Sequence, residues 1–183
     1  KRRNGTTKDD ICKLELLMKQ AEITVEDRKV TIVALEREKN ENGNPAMAIE
    51  LRDGTIVSGG TSELLGAASS ALINALKVLA GIDKEVKLID PKAIDPIQDL
   101  KINYLGSKNP RLHTDEVLTA LSATAANNEI AMKAMKKLPL LKGCDAHSTV
   151  LLSSVDEQIF KKLGIQLTCE PKYEEDERMY HKN

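Results

Sequence analysis

The 183-residue chain is predicted to fold as an α/β domain, a mixed sheet with a β-hairpin and packed helices, preceded by part of a helical region. Three observations lead there. Asp53-Gly54 sits between the apolar runs 47–51 and 55–58, the strongest short-range hairpin signal a sequence offers. A long apolar pattern of helical period follows over residues 61–80. Short runs rich in β-branched residues then alternate with helical patterns. A hairpin brings antiparallel pairing and the alternation brings crossovers, so the strand directions are mixed.

Taken in order, Ile11, Leu14, Leu17 and Met18 form an apolar stripe at helical spacing, and the opening KRRNGTTKDD carries no Met. Residues 1–28 are therefore expected to be the remnant of an upstream helical region of a longer parent, with Lys1, Arg2 and Arg3 solvated. The stripe is expected to be partly exposed and to promote self-association. Residues 29–35 (KVTIVAL) alternate and predict a strand, and residues 36–44 read as a polar loop. After the hairpin, Thr61 is a candidate cap for a helix over 61–80. Leu64, Ala68, Leu72 and Leu76 lie on its buried face, Ser70, Asn74 and Lys77 form a polar strip, and Gly81 is its stop. Residues 86–89 predict a strand, and Asp95-Pro96 opens a helix that stops at Gly106. Thr114 caps the next helix, with Asp115 and Glu116 favourably placed in its first turn, and a shorter helix spans 129–138. Residues 148–152 predict a buried strand. The run Ser154-Val155-Asp156-Glu157 is a capping box for a helix ending at Gly164, and 165–169 is the closing strand. The α/β domain thus spans 29–172, followed by a charged tail over 173–183.

Composition narrows the functional classes. With 27 basic and 28 acidic residues, one Phe, three Tyr and no Trp, the chain shows neither the charge nor the stacking platforms of a nucleic-acid binder. Three widely spaced cysteines, no signal peptide and no apolar run of membrane length point to a cytoplasmic protein without a membrane partner.

Three groups of residues can carry chemistry. Gly59, Gly60, Thr61, Ser62 and Glu63 form a glycine-led approach to the expected helix N-terminus, where free N–H groups and the dipole favour an anion; a plain turn capped by Thr61 fits the same residues. Cys144, Asp145 and His147, with His113, Asp115 and Glu116, include enough ligand types for zinc, and three of them would leave a position for water. The spacing matches no metal motif, so the expectation is that His113, Cys144 and His147 do not close around an ion. The same residues would allow a Cys144 nucleophile with His113 or His147 as base, while Cys12 and Cys169 read as core or edge thiols. Third, the Asn109–His113 loop places Arg111, suited to gripping a carboxylate or phosphate, ahead of a helix.

The order hairpin, long helix, strand is similar to the opening of the cytidine-deaminase-like fold. Where such enzymes carry zinc ligands, this chain has Thr61-Ser62-Glu63 and Pro91-Lys92-Ala93-Ile94, so the glutamate is present and the metal ligands are not. The blocks NPAMAIELRDGTIVSGGTSELLGAASSALINALKVLAGI, INYLGSKNPRLHTDEVLTALS, LPLLKGCDAHSTVLLS and FKKLGIQLTCEP closely resemble the C-terminal part of the mainly bacterial domain-of-unknown-function family eighteen-forty-six, over nearly all of 29–172. The resemblance implies a considerably longer parent with a nucleotide-binding-like upstream region. Some members of that family are labelled ATP-dependent peptidases, yet this chain has neither a His-Glu-x-x-His helix nor a Gly-x-Ser-x-Gly elbow. The resemblance supplies no catalytic residues.

The expected function is that of a ligand-binding or assembly domain, its partners a small anionic ligand and the upstream part of the parent. One alternative is a metal-free deaminase-fold transferase, with Glu63 or His113 as general acid or base and Gly59, Gly60, Thr61, Lys92 and Arg111 holding an anionic substrate. The other is a zinc hydrolase built on His113, Cys144 and His147.

Overall fold

The computed structural model describes residues 8–174; Lys1, Arg2, Arg3 and most of the charged tail lie outside them. Seven α-helices and four strands are present among the described residues, in the order α1 (Lys8–Gln20), α2 (Lys29–Asn40), β1 (Ala46–Glu50), β2 (Ile56–Gly60), α3 (Ala67–Ala80), α4 (Pro91–Asp99), α5 (Thr114–Ala125), α6 (Glu129–Met135), β3 (Asp145–Ser148), α7 (Ser154–Lys162) and β4 (Gln166–Cys169). The strands form one mixed sheet in the order β2-β1-β3-β4. β1 is antiparallel to both β2 and β3, and β3 is parallel to β4.

The hairpin forms where expected. Gly54 takes φ +85°, a conformation that glycine reaches without a Cβ penalty, and the Leu51 amide donates to the Thr55 carbonyl at 2.8 Å. Strand alternation then sends Met47 and Ile49 to one face and Ala48 to the other. On the Met47 face lies the main core, with Leu72 and Leu76 of α3, Val117 and Leu121 of α5, and Phe160 of α7. On the Ala48 face lies a small cluster with Val30 and Ala34 of α2.

That second cluster is why residues 29–35 are helical and not the expected strand. Val30 and Ala34 stand at i and i+4, so the alternating run also satisfies a helix face, and the helix formers Ala34 to Lys39 extend it through the expected loop to Asn40. α1 carries Ile11, Leu14 and Leu17, which are 43%, 47% and 59% exposed.

The helix expected over 61–80 begins only at Ala67. Thr61 instead continues the strand edge, its amide and hydroxyl both donating to the Pro45 carbonyl at 3.0 Å. Ser62 then builds a local turn, its Oγ accepting from the Leu65 amide at 3.0 Å, a side-chain bond that competes with helix formation. The stop at Gly81 is as expected, with φ +60°. Residues 86–89 are not a strand: Leu88 and Ile89 are buried, but the segment pairs with no strand. The next helix starts at Asp90-Pro91 rather than at Asp95-Pro96. Both dipeptides suit a helix start, and the Asp90 carboxylate takes the role by accepting from the Lys92 amide at 2.9 Å. α4 runs into a π-turn over Leu100–Tyr104, and Gly106 stands at φ +70°. The third strand is Asp145–Ser148, three residues before its expected start. α5, α6, α7 and β4 fall close to their expected bounds. No helix among the described residues is long and apolar enough to cross a membrane.

Candidate functional site

A cleft opens where β3 ends. Its walls are the N-terminus of α3, the loop carrying Arg111 and His113, and the segment 150–153 that leads into α7.

The loop is held in place from several sides. The Leu112 amide donates to the Leu64 carbonyl at 3.0 Å, and the buried Ser69 hydroxyl donates to the Leu112 carbonyl at 2.9 Å. Lys101, only 6% exposed, donates to the Arg111 carbonyl at 2.6 Å and pairs with Glu116 at 2.7 Å. Glu116 in turn accepts from the His113 amide at 2.8 Å, so His113, not Thr114, is the N-cap of α5. A buried cation spanning a backbone carbonyl and a carboxylate fixes both the loop and the helix entry.

Asp156 is the centre of the site. It is 7% exposed and accepts from the Thr114 amide and hydroxyl, both at 2.8 Å, from the Ser153 hydroxyl at 2.7 Å, and meets His113 Nδ1 at 3.1 Å. Burial alone would raise its pKa, but the bonds from His113, Thr114 and Ser153 outweigh it and hold the carboxyl below its ordinary range. The hydrogen bond and charge of Asp156 push His113 the other way, above the ordinary 6.5, against burial and the Lys101 charge. This dyad faces α3, whose N-cap is Gly66 with no side-chain cap, so the first amides of a 14-residue helix border the cleft without a capping side chain. Arg111 completes the wall, with Nε donating to the Ser62 carbonyl at 3.2 Å and Nη1 pairing with Glu174 at 2.7 Å. The space left is about 40 Å³, room for little more than a water.

Of the residues singled out from sequence, Thr61, Arg111 and His113 meet at this cleft. Gly59 and Gly60 do not form an anion loop. They lie in β2, where Gly59 lets the backbone of α3 approach so closely that a Cβ would stand 2.2 Å from the Ala71 nitrogen, and Gly60 faces the Glu41 carboxylate. Glu63 and Lys92 are exposed and line no part of the cleft. Pro91 to Ile94 open α4 instead of following a strand, which removes the positional analogy with a zinc-bearing turn.

His113, Cys144 and His147 do not come together, and no group of three or more His, Cys, Asp or Glu side chains among the described residues is placed to hold a metal. Cys144 is buried, its thiol pushed up by burial, with Sγ directed to the Leu140 carbonyl at 3.6 Å; neither described imidazole, His113 or His147, is bonded to it. His147 lies beside Ala48 on the face that α2 covers, where Nδ1 meets Thr168 at 2.8 Å and Nε2 meets Glu170 at 3.2 Å. Burial lowers its pKa against the pull of the Glu170 carboxylate, and both ring nitrogens have partners, so it reads as a satisfied core histidine. Cys12 is exposed on α1. The sequence marks Asp156 only as part of a helix start and gives no sign of Lys101. The pattern Ser153-x-x-Asp156 was the available signal for Asp156, one register off the capping box at Ser154, and the buried side of α7 decides between them.

The family model described as "Domain of unknown function DUF1846, C-terminal" matches residues 26–180. Among similar proteins, a UPF0371 protein of Corynebacterium glutamicum is 54% identical over 162 residues, covering 88% of this chain and 32% of its own length. UPF0371 proteins of Streptococcus thermophilus and Streptococcus sanguinis are 52% and 54% identical, each match covering 93% of this chain and 34% of the relative. The chain therefore spans about a third of the length of the curated relatives it matches.

Proposed function

The chain belongs to the DUF1846 C-terminal domain family, a family of unknown function, and from that premise we propose that it is the ligand-binding part of a longer protein. Its ligand is a small anion bearing a phosphate or carboxylate. The observation that carries this reading is convergence: the uncapped N-terminus of α3, the Arg111 guanidinium and the ring of His113 border one narrow cleft. Helix amides and the dipole favour an anion, Arg grips two of its oxygens, and a protonated His113 adds a charge. Lys101 positions these groups from behind the cleft wall, while Asp156 lines the cleft itself and spends its carboxylate on His113, Thr114 and Ser153.

The experiment is thermal shift with inorganic phosphate. Wild type is expected to be stabilised in proportion to ligand, and Arg111→Gln to bind about tenfold more weakly or worse. His113 is held above its ordinary pKa, so its positive charge is present below that value and is lost as pH rises through it. The His113 part of the phosphate stabilisation should be lost as pH rises above 6.5 through the higher folded value, a loss absent in His113→Asn. A shift that survives Arg111→Gln unchanged would remove the reading.

A second reading rests on the His113–Asp156 dyad alone: a metal-free group-transferring domain of deaminase-like topology, in which His113 moves a proton at its Nε2. The strand order β2-β1-β3-β4 is compatible with that topology. Glu63 has no part in this version, because it is exposed and does not line the cleft.

A further inference from the structure

We propose that Glu174 is a built-in competitor for the anion cleft: the segment after β4 seats a carboxylate on Arg111, and an anionic ligand enters by displacing it. The inference rests on the anion-binding reading above and adds its regulation. After β4 the chain turns back across the 150–153 segment, where the Leu151 amide donates to the Lys172 carbonyl at 2.8 Å. Lys172 is latched to Glu38 of α2 at 2.8 Å. Two residues further on, Glu174 reaches Arg111 at 2.7 Å, its side chain 16% exposed.

The position of that carboxylate is informative. Arg111 and Glu174 line both the inner space of about 40 Å³ against α3 and an outer cavity of about 520 Å³ on the solvent side, so the ion pair stands at the boundary between them. With Glu174 in place the inner space of about 40 Å³ admits no phosphate-sized group, and Arg111, which lines both spaces together with Pro45 and Val150, is the group that a displaced Glu174 would release to a ligand. The backbone bond at Leu151 and the latch at Lys172 lie before Glu174 in the chain, so the carboxylate can leave while the rest of the segment stays docked. A chemical mimic of the ligand, tethered beside its site, lowers apparent affinity by the fraction of molecules in which it is seated.

Calorimetric titration of inorganic phosphate into the 183-residue chain tests this. Glu174→Gln keeps the size of the side chain and removes its charge, so it is expected to bind phosphate about tenfold more tightly than wild type. Arg111→Gln is expected to lose binding in either background. Equal affinity in wild type and Glu174→Gln, with binding still lost in Arg111→Gln, would overturn the competitor while leaving the anion site standing. No heat of binding in both wild type and Glu174→Gln would overturn the anion site and the competitor together. The melting temperature of Glu174→Gln, measured alongside, separates loss of binding from loss of fold.

Discussion

Asp156→Ala is expected to destabilise the chain by roughly 3 kcal/mol in urea denaturation, a fall of about 8 °C in melting temperature for a domain of this size. The carboxylate receives four donors, and Thr114, fully buried, has no water to turn to when both its amide and its hydroxyl lose their acceptor. Truncation leaves those groups unsatisfied as well as removing a charged pair. Asp156→Asn keeps one acceptor oxygen and should fall between the two. The pH profile carries the sign. Asp156 sits below its ordinary 3.8 in the folded chain, so its ionised contribution is present above that value and lost as pH falls through the folded pKa. His113 is raised, so its contribution is complete below 6.5 and is lost as pH rises through the higher folded value. The stability difference between wild type and Asp156→Ala is therefore expected to be greatest at weakly acidic pH. It should shrink on both sides without vanishing at neutral pH, where Thr114 and Ser153 still bond the carboxylate. A variant that melts with wild type across this range would contradict the central role given to Asp156.

Gly59→Ala is the second large effect expected, on the order of 3 kcal/mol or more. The added methyl would meet backbone, not a side chain: the Ala71 nitrogen at 2.2 Å, the Ser70 carbonyl carbon at 2.6 Å and the Ala71 Cα at 2.7 Å. Backbone in the second turn of a buried helix cannot rotate away, so α3 must lift from the sheet and open the core around Leu72. Gly60→Ala meets only the Glu41 side chain, which can swing aside, and should cost about 1 kcal/mol. If both variants cost the same, or if Gly59→Ala abolishes phosphate binding without altering stability, the close-packing role assigned to Gly59 is wrong.

These two residues also show how far the sequence was legible. The hairpin, the stop at Gly81 and the α5, α6 and α7 caps depend on local chemistry, and each is found close to where that chemistry places it. Gly59 and Gly60 were legible as glycines with a purpose, but a turn and a tight helix contact call for the same residue, and only the packing of α3 distinguishes them. The run at Val30 is ambiguous for a similar reason: Val30 and Ala34 fit a strand face and a helix face alike, and packing against Ala48 on the strand that follows decides between them. At the site, Arg111, His113 and Thr61 were visible by type. Their convergence was not, because it depends on Lys101 and Asp156, whose roles come from burial and from contacts 15 and 43 residues away in sequence. The true N-terminus of α3 was hidden by Ser62, whose side-chain turn delays the helix to Gly66.

The most direct measurement is an amide chemical-shift titration of the isotope-labelled chain with inorganic phosphate. The cleft described here requires saturable shifts concentrated at the amides of Ala67, Ala68 and Ser69, with His113 and the Arg111 side chain moving at the same concentrations. Shifts confined to exposed lysines such as Lys92, or absent from the first turn of α3, would contradict it.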